Sequence, residues 1–162
     1  MSFIKELLYR LRGEFTTEKL ISMGMKVGKN FNRLHGVILD PGHCWLIDIG
    51  DNVTIAPRVH ILCHDASTKQ FLNYTKIGRV TIGNNVVIGA NSTVTHSIPD
   101  NSVAVGSPAR VISTLDDYLA KETNRMKSSP CYGEEYTLRK NISSDMKAEQ
   151  KNALSGKIGF VD

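Results

Sequence analysis

The sequence predicts a mainly β chain, a parallel β-helix of hexapeptide repeats with short N-terminal helices and a helical C-terminal extension. Three observations predict it. Apolar, mostly β-branched residues recur every six positions, at Ile49, Ile55 and Ile61 and again at Ile82, Ile88 and Val94. A second phase, four residues further on, holds Val53, Val59, Val86, Ser92 and Ile98. Gly50, Gly83 and Gly89 follow their aliphatics, and an Asp or Asn stands one or two positions further on, in IGDNVT, IGNNVV and IGANST, where tight turns need permissive backbones. A period of six fits neither a helix face nor an alternating strand. It fits a coil of three short strands around a prism, in which stacked layers supply a core that no single layer could bury.

The elements follow in order. Ile4, Leu7, Leu8 and Leu11 have helical spacing, so residues 3–12 read as an amphipathic helix ending at Gly13. A second helix starts at the Thr16-Thr17 cap and stops near Gly24. These make 1–26 an N-terminal helical segment. Residues 27–112 form the coil, roughly four turns of about eighteen residues each, with an excursion at about 62–76. That excursion begins in VHILCHDAST, where the rhythm is lost after Ile61 and a His64-Asp65 pair appears. After Ile112 the rhythm ends, and 113–162 reads as a helix over about 115–127 capped by Thr114, a second helix over about 143–154, and an otherwise uninformative tail.

Composition excludes several classes. At 162 residues the chain is read as one domain with small appended segments, and 41% hydrophobic with 22% charged residues is ordinary for a soluble protein. The net charge of +4 suits an anionic ligand such as a nucleotide phosphate, but no dense basic block exists, so nucleic acid is not expected as a partner. Lys5, Glu6 and Arg10 interrupt the apolar N-terminus, which therefore reads as neither a signal peptide nor a membrane span. Cys44, Cys63 and Cys131 are odd in number and widely spaced, which favours reduced thiols in the cytoplasm over a disulfide framework or a zinc site.

Three stretches together resemble the hexapeptide-repeat acyltransferases, and within them the O-acetyltransferases of maltose, galactosides and capsular sugars. They are IGDNVTIAPRVHI leading into His64-Asp65, the run VTIGNNVVIGANSTVTHSIPDNS, and the closing VAVGSPARVI, and they cover roughly 27–112. The resemblance implies a left-handed β-helix, although the general rule for parallel crossovers would give the right hand. It also implies a homotrimer with acetyl-CoA as co-substrate in the groove between subunits, and direct transfer of an acetyl group to a hydroxyl of a sugar. The rival readings are acetylation of a non-sugar acceptor such as an antibiotic or amine, and a non-catalytic β-helix scaffold.

An alcohol is a weak nucleophile at neutral pH, so transfer needs a base, and a neutral imidazole is suited to that task. His64 occupies the family's position for it. Asp65 could orient that imidazole, contact an acceptor hydroxyl or simply turn the chain. Asn32 and Asp40, in FNRLHGVILDP, have the spacing of two sugar-contacting residues in galactoside-type relatives, and His43 and Trp45 are further candidates to face the cleft. Gly89, Ala90 and Thr95 match positions near the pantetheine arm. His96 stands where relatives commonly carry Lys, and Pro108 and Arg110 of SPAR match the closing motif at the adenine and phosphate end. His60 lies four positions before His64, but it is expected to point outward and no familiar three-histidine spacing is present, so no catalytic metal is expected. Cys63 reads as a small apolar wall residue rather than a nucleophile.

Overall fold

The structure, a computed structural model, describes residues 14–162; the helix expected over 3–12 lies outside them. The chain divides into two compact units, one to Asp116 and one from Asp117 onward. In the first, Thr16 caps the helix Thr17–Ser22 by accepting the Lys19 amide on its side chain, as the Thr-Thr pair predicts.

Short strands then follow one another: β1 (Lys26–Val27), β2 (Asn32–Arg33), β3 (Ile38–Leu39), β4 (Ile47–Ile49), β5 (Val53–Ile55) and β6 (His60–Ile61). Past an antiparallel pair, β7 (His64–Asp65) and β8 (Lys76–Ile77), the series resumes with β9 (Val80–Ile82), β10 (Val86–Ile88) and β11 (Thr93–Val94). Pairing is parallel and rotates among three sheets, β1-β4-β9, then β2-β5-β10, then β3-β6-β11. β12 (Ser102–Val105) adds to the second sheet in parallel, and β13 (Arg110–Thr114) closes that sheet antiparallel.

The register explains the six-residue period. Ile49 pairs with Ile82, Ile55 with Ile88 and Ile61 with Val94, so each aliphatic stacks on its equivalent in the next coil. These six side chains are at most 4% exposed, and Val53, Val59, Val86 and Ser92 of the second phase are equally buried. Burying one such aliphatic is worth about 1.5–3 kcal/mol, so the stack is the main source of stability. Ser92, the polar member, is satisfied: its hydroxyl donates to the Gly89 carbonyl and accepts the Gly106 amide.

One corner is a polar ladder. Asn30, Asn52 and Asn85 hold left-handed backbones (φ 54°, 56° and 55°), a conformation Asn tolerates better than most residues. Their side chains connect the coils, with Asn30 Nδ2 donating to Asn52 Oδ1 at 2.8 Å and Asn52 Nδ2 to Asn85 Oδ1 at 3.0 Å. Beside them the Asp51 carboxylate accepts the Lys29 amide and the Asn84 side-chain oxygen accepts the Asp51 amide. The layers approach so closely here that a Cβ on Gly83 would lie 2.5 Å from the Asp100 amide nitrogen, which requires glycine.

The same ladder measures the spacing of the coils. Bonded equivalents lie 22, 33 and 16 residues apart in successive layers, against about 18 for three hexads. The surplus in the first layer accompanies a 3₁₀ turn, Cys44–Leu46. In the second it is the loop between β6 and β9, which contains β7, a 3₁₀ turn, a short helix Lys69–Leu72 and β8. The surplus in the first layer is therefore a short insertion before Ile49, and the predicted excursion at 62–76 is a closed hairpin.

The helix Leu115–Met126 begins where β13 ends. The second unit contains the helix Ser144–Ala153, capped by Ser143, and a parallel pair, β14 (Cys131–Tyr132) with β15 (Phe160–Val161), which the sequence did not announce. No helix among the described residues is long and apolar enough to cross a membrane.

Candidate active site

Both departures from regular coil length flank one point. β3 and β6 are neighbours in the third sheet, and the residues just after each leave the repeat together. Asp40 follows β3, and Cys63-His64 follows β6. Since Leu39 pairs with Ile61, Asp40 is brought under the start of the hairpin, and its amide donates to the Ile61 carbonyl at 2.9 Å.

Asp40 is fully buried. Its Oδ2 accepts the Cys63 amide at 2.8 Å and lies 2.6 Å from His64 Nδ1. A carboxylate so placed accepts the Nδ1 proton, which fixes the imidazole tautomer and leaves a lone pair on Nε2. The His64 side chain is 38% exposed and lines an open cleft of ≈ 650 Å³ with Leu62, Cys63, Asp65, Lys76, Ile77 and Thr95. A histidine with one ring nitrogen bound to a buried carboxylate and the ring at a cleft has the arrangement of a general base.

Asp65 is engaged elsewhere. Its Oδ1 accepts the Ser67 amide at 2.8 Å, and its Oδ2 pairs with Lys76 Nζ at 2.5 Å. The hydrogen bond from Lys76 is the main cause of a carboxyl held well below its usual range, with the Ser67 bonds next. Of the three roles the sequence left open, turning and closing the hairpin is the one these contacts support, while Asp40 is the residue beside the imidazole.

Cys63 is buried, and burial above all, followed by the charge of Asp40, pushes its thiol up to about 11. Burial also raises the Cys44 thiol. A thiol needs to ionise to attack, so neither has the character of a nucleophile. His43 approaches from the inserted turn after Asp40, its ring centroid 4.9 Å from that of His64 and 5.3 Å from that of Trp45. Trp45 is 53% exposed. Asn32 is exposed in β2, in the second sheet rather than the third.

The residues expected at the cofactor fall along the coils beyond β10. Gly89 and Ala90 follow that strand, Thr95 and His96 follow β11, and Pro108 lies in the turn before β13, where the Ser107–Pro108 bond is cis. His96 and Arg110 meet: Arg110 Nη1 donates to His96 Nε2 at 2.7 Å, and His96 Nδ1 is 3.0 Å from Thr95 Oγ1. All three side chains are exposed, and Thr95 also borders the His64 cleft. Sequence reasoning named His43 as a candidate to face the cleft but missed the approach of Lys76, which depends on how the hairpin folds back.

No family model matches the chain. Protein CapG of Staphylococcus aureus is 30% identical over 142 residues, covering 73% of this chain and 83% of that protein. The galactoside O-acetyltransferase of Escherichia coli (strain K12) is 37% identical over 118 residues, covering 60% of this chain and 55% of the relative, so the chain spans about half of that enzyme's length. Among solved structures, a maltose O-acetyltransferase from Clostridium difficile 630 is 38% identical, with a TM-score of 0.43, over 56% of this chain and 59% of that one. With six-residue stacking through the coils, a histidine where the repeat opens, and identity extending over most of CapG, the chain belongs to the hexapeptide-repeat acyltransferases of the sugar O-acetyltransferase type.

Proposed function

We propose that the protein transfers an acetyl group from acetyl-CoA to a hydroxyl of a sugar or sugar-containing acceptor, with His64 as general base. The hydrogen bond between His64 Nδ1 and the buried Asp40 carboxylate carries this reading. In the proposed reaction the acceptor hydroxyl hydrogen-bonds to Nε2 and gives up its proton there as its oxygen attacks the thioester carbonyl. Asp40 stabilises the imidazolium that forms, and the proton then passes to the departing thiolate of CoA. Asp40 is a positioning residue in this scheme. The oxyanion is held by hydrogen-bond donors of the cleft.

The coil of residues 27–112 is read as a left-handed β-helix that assembles as a homotrimer, with acetyl-CoA along the outer groove between subunits. Gly89 and Ala90 leave room for the pantetheine arm. Thr95, His96 and Arg110 form a polar cluster suited to its phosphates, and Pro108 closes that end. The galactoside and maltose O-acetyltransferase relatives support a carbohydrate acceptor. A cytoplasmic location belongs to the same reading, since acetyl-CoA and reduced thiols are found there.

The test is an acceptor panel of sugars, nucleotide sugars, amines and antibiotics, supplied with acetyl-CoA and followed by release of free thiol. Wild-type protein is expected to acetylate a sugar, and His64→Ala to lose about 10²–10⁴-fold in rate. Equal rates in the two proteins would end the base assignment. A stable monomer in native mass measurement would remove the intersubunit groove.

A further inference from the structure

Among the described residues, two buried polar atoms at the site have no hydrogen-bond partner. They are Asp40 Oδ1 and His43 Nδ1, 4.0 Å apart, too far for a hydrogen bond and open enough for an ion between them. A buried carboxylate oxygen left without a donor costs free energy comparable to that of a lost hydrogen bond, so it calls for an occupant. His64 completes the group: one ligand atom from each of Asp40, His43 and His64 lies within 4.8 Å of the others. Ligands about 2.0–2.2 Å from a zinc ion stand roughly 3.3–3.5 Å from one another, so a modest contraction would bring all three into a first coordination sphere. Two imidazoles and one carboxylate are a donor set for zinc and neighbouring divalent transition metals rather than for magnesium or calcium.

We propose that Asp40, His43 and His64 bind a divalent transition-metal ion such as Zn²⁺, and that this ion switches the site off by taking the nitrogen on which the base is oriented. In the metal-free state Nδ1 of His64 carries the proton and Nε2 the lone pair. Coordination through Nδ1 moves that proton to Nε2, with no net change in protonation of the neutral ring. Nε2 then donates a hydrogen bond and can no longer accept the acceptor's proton. The ion also engages the Asp40 carboxylate that would have stabilised the imidazolium. The same three side chains thus have two exclusive uses, and His43, which the proposed transfer does not require, serves only the second. The 38% exposure of His64 gives the ion a path from solvent.

Binding stands independently of the proposed activity, whereas the inhibition rests on it, so two measurements separate them. The first titrates chelator-treated full-length protein with Zn²⁺ by calorimetry and with Co²⁺ by visible absorption. One equivalent is expected to bind in the micromolar range, with the visible bands of four- or five-coordinate Co²⁺. His43→Gln and Asp40→Asn are expected to bind at least tenfold more weakly. Cys131→Ala, which removes an exposed thiol, is expected to bind as wild type does. Wild-type affinity in His43→Gln, no binding up to about 100 µM metal, or loss of the signal in Cys131→Ala would each overturn the site. The second follows acetyl transfer: Zn²⁺ is expected to inhibit wild type reversibly, and His43→Gln to need at least tenfold more metal for the same fractional loss of its own rate. Stoichiometric binding without inhibition would leave the metal site standing and overturn the switch.

Discussion

Nδ1 of His64 lies 2.6 Å from Oδ2 of Asp40, a carboxylate with no exposed surface, although 24 residues separate the two in the chain. The pairing follows from the register of the third sheet, where Leu39 stands opposite Ile61 and the chain leaves the coil just beyond each. One carboxylate oxygen serves both the imidazole and the Cys63 amide, so it fixes ring and backbone together.

Asp40→Asn is accordingly expected to cut kcat by about 10²-fold or more while changing KM less than threefold, because an amide can present its N–H to Nδ1 and favour the wrong tautomer. Steady-state kinetics beside circular dichroism of the variant checks this. A kcat within twofold of wild type would show that the carboxylate does not act through His64.

Cysteine reactivity is expected to follow burial. Cys131 is exposed, whereas Cys44 and Cys63 are buried with raised thiols. Iodoacetamide at pH 8 on the native protein is therefore expected to label Cys131 alone, and all three after denaturation, as read by peptide mass mapping.

The Cys63 thiol also links stability to alkaline pH. Its value in the fold, about 11, lies above the ordinary 9.0, so the unfolded chain gives up this proton first. The contribution of this group is fully present below pH 9 and is lost as pH rises through 11. Cys63→Ala is expected to show a shallower decline in melting temperature than wild type between pH 9 and 11. Parallel declines would remove the assignment.

Close approach of the coils is tested at Gly83. Its added Cβ would meet the Asp100 carboxylate and would also lie 2.5 Å from the Asp100 backbone nitrogen, which cannot swing away. Gly83→Ala is expected to cost about 1–3 kcal/mol, measured by denaturant unfolding.

At the neighbouring ladder, Asn85→Val is expected to cost a further 1–2 kcal/mol, roughly the penalty for a left-handed backbone at an ordinary residue, together with the lost bond to Asn52. An unchanged unfolding midpoint would mean that the ladder contributes nothing net.

The sequence by itself determined the repeating part. A stacked coil places chemically equivalent residues on top of one another, so its core is written as a period: Ile49, Ile55 and Ile61 meet Ile82, Ile88 and Val94, and Gly83 and Asn85 mark a corner. The break at His64 was legible for the same reason, since a lapse in a strict period stands out. Only the tertiary structure decided what surrounds that histidine. Asp40, His43 and Lys76 reach the region from insertions that obey no period, and nothing local distinguishes Asp65, bound to Lys76, from Asp40, bound to His64. Adjacency in sequence offered Asp65 as one possible partner of the imidazole, but the contact is made by Asp40, because a side chain's partner in this fold is set by the coil beneath it rather than by its neighbour along the chain.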